Sequence, residues 1–93
     1  MSFKPTPANE SKIIAEATRL TESELTTFGD IAKIVFNNTD SAGIVGDVVY
    51  RNRYKIPYWY RIVNKGYHPV ADEIAIRKLK EEGYVIHNGQ IVL

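Results

Sequence analysis

Residues 27–50 read TFGDIAKIVFNNTDSAGIVGDVVY. Thr27 has the side chain of a helix cap and can accept from the amide of Asp30, while Phe28, Ile31, Ala32 and Val35 recur at i, i+3, i+4, i+7. This predicts a short helix with one apolar face. Asn37-Asn38-Thr39-Asp40 then supplies turn residues, with Asp40 as the expected cap of a helix over 41–50 whose core stripe is Ala42, Val45 and Val49. Two short helices across such a turn predict a helix-turn-helix. Gly43 and Gly46 interrupt the second helix, each costing about 1 kcal/mol relative to alanine. The expected compensation is close approach of that helix to another backbone or side chain.

Working outward, Pro5 and Pro7 mark residues 1–8 as an extended arm, and Ile13, Ala17 and Leu20 predict a first helix from about Asn9. Thr21 to Thr26 form a polar connection. Beyond Asn52, Pro57 disfavours continued helix, and Arg61-Ile62-Val63-Asn64 reads as a short extended piece. A last helix is expected from about Val70 to Glu82, with Ala71, Ile74, Ala75 and Leu79 on one face and Gly83 ending it. Tyr84 to Leu93, centred on Asn88-Gly89, carries the strongest short hairpin signal. The fold class expected is mainly α, a winged helix-turn-helix with a short C-terminal β-hairpin, and residues 9–93 form a single domain.

The chain has 93 residues, 44% of them apolar, and no cysteine. That is enough for one modest core, and it excludes thiolate nucleophiles, disulfides and cysteine-ligated metal. No signal-peptide pattern or membrane-length apolar run is present, so a soluble monomer in the cytoplasm is expected. His68 and His87 stand on different elements, and Asp72-Glu73 and Glu81-Glu82 read as helix-face charges. No metal or other cofactor is expected.

Net charge is only +1, yet its placement is uneven. No acidic residue falls between Asp47 and Asp72, whereas Arg51, Arg53, Lys55, Arg61 and Lys65 do, interleaved with Tyr50, Tyr54, Tyr58, Trp59, Tyr60 and Tyr67. Cations neutralise phosphate and aromatic faces stack on bases, so this is the makeup of a nucleic-acid surface. A solvated basic loop whose tyrosines cover the core has the same composition.

Thr26-Thr27-Phe28-Gly29-Asp30-Ile31-Ala32, Val45-Gly46, Asn52 and Trp59-Tyr60-Arg61-Ile62-Val63-Asn64 together resemble the DNA-binding domain of the alkylguanine-DNA alkyltransferases. The tail from Leu79 to Leu93 is similar to that of their non-enzymatic relatives, the alkyltransferase-like proteins. Matching Arg61 to the family arginine puts Trp59 at the position of the acceptor cysteine and Tyr60 at that of the histidine. An indole cannot accept the alkyl group, so the resemblance implies a protein that is not an enzyme. It implies instead recognition of alkylated guanine in double-stranded DNA by base flipping, with removal left to downstream repair proteins. The residues implied for DNA binding are Thr27, Phe28, Ser41, Gly43, Gly46, Tyr50, Arg51, Asn52, Arg53 and Lys55; those implied for the base pocket are Trp59, Tyr60, Arg61 and Tyr67. The sequence departs from the family at Gly43, where an intercalating arginine is usual, at Phe28 and Tyr50, which replace a tyrosine and an arginine, and at Tyr58, one residue extra after Pro57. A winged-helix regulator of ordinary duplex sequence and a protein-interaction domain using the tyrosine-rich segment are the competing readings.

Overall fold

The computed structural model describes residues 6–93. Helix α1 spans Pro7–Leu20, two residues earlier than the sequence implied. The Thr6 side chain accepts from the amide of Asn9 at 3.2 Å, and Pro7 occupies the first helical position, where its missing N–H would have had no partner. The arm expected over residues 1–8 thus ends in helix, and its first five residues lie outside those described. Ile13 and Ala17, one turn apart, are fully buried. At the other end the Ala17 carbonyl accepts both the Thr21 amide at 3.3 Å and the Thr21 hydroxyl at 2.6 Å, which closes the last turn.

Strand β1 (Thr26–Thr27) leads directly into α2 (Phe28–Phe36). Thr27 caps as its type implies, accepting from the Asp30 amide at 3.0 Å, and Asn37 ends the helix in the left-handed region at φ 60°. Helix α3 (Ala42–Arg51) follows across the turn. Its expected Asp40 cap is not used. Ser41 is the cap residue, and Asn38 accepts from the Ser41 amide at 3.0 Å, because the preceding turn already presents that side chain. Ile13, Ala17, Ile31, Ala32, Val45 and Val48 are all fully buried, which makes the three helices one core. Each fully buried Val or Ile contributes roughly 1.5–3 kcal/mol relative to exposure.

The irregular segment contains two single 3-10 turns, at Arg53–Lys55 and Trp59–Arg61, before β2 (Ile62–Val63). β2 runs parallel to β1, with Thr26 opposite Ile62 and Thr27 opposite Val63. This pairing ties the tyrosine-rich segment to the start of the helix-turn-helix. A two-residue strand carries no periodicity, and β1 falls where a polar connection and a helix cap were expected.

Helix α4 covers Glu73–Glu81, shorter than the expected 70–82. Asp72 is its cap and not a member of its first turn: the carboxylate accepts from the amides of Ile74 and Ala75 at 2.8 and 3.2 Å. The core face is correspondingly narrower. Ala75 and Leu79 are buried, whereas Ala71 and Ile74 are exposed. Gly83, at φ 94°, closes the helix, with the Tyr84 amide donating to the Leu79 carbonyl at 3.0 Å. Strands β3 (Val85–His87) and β4 (Gln90–Val92) form the C-terminal antiparallel hairpin, with Ile86 opposite Ile91. Asn88 and Gly89 both take positive φ, 51° and 75°, as the favoured two-residue hairpin turn requires. Tyr60, Val63, Ala75, Leu79 and Ile91 make a second core cluster, which Trp59 and Val70 join to the first. Among the described residues no helix is long and apolar enough to cross a membrane, and no cluster of metal-ligating side chains occurs.

Candidate nucleic-acid interface

The first turn of α2, the outward face of α3 and the segment 64–72 enclose a groove of about 1020 Å³. Phe28, Ala42, Gly43, Gly46, Val70 and Ala71 give it an apolar lining, while Thr27, Asp30, Thr39, Asn64, Lys65 and Asp72 bring polar groups and Tyr50 brings both. The two glycines of α3 differ in surroundings. A Cβ at Gly46 would stand 3.8 Å from the Phe28 ring, an ordinary contact, so Gly46 lets the ring lie against the helix. A Cβ at Gly43 would meet nothing within 4 Å. An approach close enough to require glycine is therefore found at neither position: there is room for a Cβ beside the Phe28 ring at Gly46, and Gly43 faces the open groove.

The far wall is positioned by the hairpin. The Gln90 side-chain amide donates to the Gly66 carbonyl at 2.6 Å, the Ile91 amide to the Tyr67 carbonyl at 2.9 Å, and His68 Nδ1 to the Gly89 carbonyl at 3.0 Å. Gly66 and Tyr67 both adopt positive φ, 81° and 62°, and the bend they make is held by these three bonds. A second strap crosses from α3 to the cap of α4. The Tyr50 hydroxyl donates to Asp72 Oδ2 at 2.6 Å. That bond, with the two capping amides, holds the Asp72 carboxyl below the usual carboxylate range and raises the Tyr50 phenol.

Of the residues expected to bind DNA, Thr27, Phe28, Gly43, Gly46 and Tyr50 line the groove together. Ser41 sits in the turn, its hydroxyl donating to Asn38 Oδ1. Arg53 lies over the Tyr50 ring at 4.1 Å and Lys55 over the Tyr54 ring at 5.5 Å, both with exposed heads beside the C-terminal end of α3. Arg51 is engaged otherwise than expected. It pairs with Asp47 one turn back at 3.0 Å and with Glu10 of α1 at 3.6 Å. Asn52 folds back to donate to the Val48 carbonyl at 2.8 Å.

The residues expected to form the base pocket are not on this groove. Tyr60 is 6% exposed, and its hydroxyl donates to Glu82 at 2.7 Å; burial and that carboxylate push its pKa up to about 12. Arg61 grips Glu82 through Nε and Nη2 at 2.9 and 2.8 Å, and its Nη1 donates to the carbonyls of Thr21 and Glu22. Glu82 is held below the usual range by Arg61. Such a fork is a rivet between α1, the 3-10 turn and the end of α4. Trp59 packs into both core clusters and meets Tyr50 and Tyr60 edge-on, with centroids 6.1 Å apart in each case. It stands behind Tyr50 and does not itself line the groove. Tyr67 faces solvent on the bend. Asn64, Lys65, Val70 and Asp72, from the stretch after β2, line the groove and were not among the expected site residues; Lys65 belonged to the basic stretch, and Asp72, read as a helix-face charge, has capping character.

The fold is similar to that of S. pombe Atl1, an alkyltransferase-like protein whose crystal structure is in complex with damaged DNA containing O6-carboxymethylguanine. The two share a TM-score of 0.71 at 21% sequence identity, over 88% of this chain and 82% of that one. No family model and no curated protein matches the sequence.

Proposed function

We propose that this chain is a DNA-binding protein of alkyltransferase-like type, which holds an alkylated guanine of duplex DNA in the groove between α3 and residues 64–72 without removing the alkyl group. The observation that carries the reading is the groove itself. It opens beside a helix-turn-helix, in a fold shared with a protein solved on damaged DNA, and its volume of about 1020 Å³ exceeds what a nucleobase and its substituent need. Rotating a base out of the duplex costs a few kcal/mol of stacking and pairing. The Phe28 and Tyr50 rings and the apolar lining offset part of that cost. Gly43 leaves room at the mouth, but supplies no side chain to fill the vacated stack.

Phosphate neutralisation falls to Arg53, Lys55 and Lys65 in this reading, because Arg51 and Arg61 are committed to acids within the protein. The chain contains no thiolate to take the alkyl group, so removal is left to other repair proteins.

Fluorescence anisotropy on matched duplexes, one with a central O6-methylguanine and one with guanine, tests the proposal. Tighter binding of the methylated duplex is expected, together with a salt dependence that weakens in an Arg53→Ala, Lys55→Ala, Lys65→Ala variant. Equal affinity for the two duplexes marks a binder of ordinary DNA and refutes lesion recognition. In a parallel experiment with a labelled methyl group on guanine, label recovered covalently on the protein refutes the non-catalytic half.

A further inference from the structure

Of the two carboxylates that line the groove, Asp30 and Asp72, the second has oxygens with separate duties, and this distinction sets a chemical preference for the base. Asp72 Oδ1 accepts from the amides of Ile74 and Ala75 and is committed to capping α4. Asp72 Oδ2 accepts only the Tyr50 hydroxyl among the described hydrogen bonds, and Asp72 is one of the residues that line the groove. A carboxylate oxygen has more than one lone pair, so Oδ2 can take a second donor, and while ionised it has no proton to offer an acceptor. We infer that Asp72 is a specificity-determining residue that selects bases with an amino group on the edge presented to it, so that O6-alkylguanine is accepted and O4-alkylthymine refused.

The inference rests on the proposed function, since it requires a base in the groove. Its chemistry is independent of the alkyl group. O6-alkylguanine offers its exocyclic 2-amino N–H groups beside an unprotonated N1; the amino group donates to Oδ2, and N1 accepts from the Tyr50 hydroxyl when that hydroxyl turns from the carboxylate. O4-alkylthymine offers O2 and N3, two acceptors, to the same place. One of them then faces an anionic oxygen with no proton between. The capping amides and the Tyr50 hydroxyl keep Asp72 ionised, and so keep it an acceptor.

The cap also makes the decisive variant interpretable. Asparagine caps helices about as well as aspartate, so Asp72→Asn preserves α4. The amides of Ile74 and Ala75 still demand an oxygen, which leaves the side-chain NH₂ at the place of Oδ2 and converts that acceptor into a donor.

Anisotropy is measured for wild type and Asp72→Asn on four duplexes, carrying O6-methylguanine, O6-methylhypoxanthine (the same base without the amino group), O4-methylthymine or guanine. Wild type is expected to bind O6-methylguanine about tenfold more tightly than O6-methylhypoxanthine, the worth of one hydrogen bond to a charged acceptor, and O4-methylthymine more weakly still. In Asp72→Asn, folded by circular dichroism, the amino preference disappears and O4-methylthymine gains. Retention of the full preference in Asp72→Asn, or its absence in a wild type that still favours O6-methylguanine over guanine, overturns this assignment alone. Equal wild-type binding of O6-methylguanine and guanine overturns the proposed function and the assignment together.

Discussion

Replacing Arg61 by alanine separates its two possible duties, because its structural role has a calculable size. The substitution deletes a two-pronged ion pair to Glu82 and two hydrogen bonds to the carbonyls of Thr21 and Glu22. Glu82 is then left with the Tyr60 hydroxyl alone. The Arg61 and Glu82 side chains are 15% and 24% exposed, nearer to a buried pair than to a surface one. Breaking a buried pair costs about 3–5 kcal/mol and a surface pair about 0–1 kcal/mol, so solvent at the rim places this one at about 2–3 kcal/mol. For a domain of this size that lowers the melting temperature by roughly 10–20 °C. Urea unfolding followed through Trp59, the only tryptophan, measures the change directly, since the indole packs into both core clusters. Arg61→Lys recovers less than half, because an ammonium cannot reproduce the planar fork. A cost below about 1 kcal/mol in Arg61→Ala, accompanied by loss of DNA affinity, would refute the rivet and return Arg61 to the ligand site.

Four further outcomes follow from the same structure. Gly43→Ala raises stability by about 1 kcal/mol, since its Cβ meets open space in a helix, and differential scanning calorimetry showing no gain counts against that geometry. Gly46→Ala is tolerated with a Cβ 3.8 Å from the Phe28 ring, whereas Gly46→Leu drives into that ring and lowers both stability and DNA affinity; equal behaviour of the two variants refutes the contact. Glu82 has a lowered folded pKa, so its contribution is complete above the ordinary value of 4.5 and disappears as pH falls through the folded value; acid titrations of stability should flatten in Glu82→Gln, and identical slopes would exclude Glu82 as the cause. Tyr60 has the opposite sense, its pKa raised from 10.0 to about 12, so its contribution is complete below pH 10 and lost as pH rises toward 12; Tyr60→Phe should remove that alkaline loss, and an unchanged profile would rule it out.

The helix-turn-helix was readable because its signals are local. Thr27 caps three residues ahead, the α2 stripe repeats within two turns, and Asn88-Gly89 dictates its own turn. The groove was not readable in the same way, because its walls meet through distant partners. Tyr50 reaches Asp72 and Gln90 reaches Gly66, each across more than twenty residues. The family resemblance, matched on Arg61, set the expected base pocket at Trp59, Tyr60, Arg61 and Tyr67. Yet Tyr60 and Arg61 both bind Glu82, and sequence spacing alone does not reveal such a pairing. Trp59 meets Tyr50, which lines the groove, edge-on with ring centroids 6.1 Å apart.

The three hydrogen bonds from the hairpin to residues 66–68 impose an order on how the site comes into being during synthesis. Helices α1 to α3 pack mainly on one another and can dock once Arg51 has left the ribosome. Gln90 and Ile91, which fix the opposite wall, follow Tyr50 by about forty residues, roughly 2–8 s at ordinary elongation rates. Throughout that interval α3 faces an unfinished wall. A chain interrupted before Gln90 would keep α3 and lack the bonds from Gln90 and Ile91 that hold the bend at residues 66–68 on the other side of the groove.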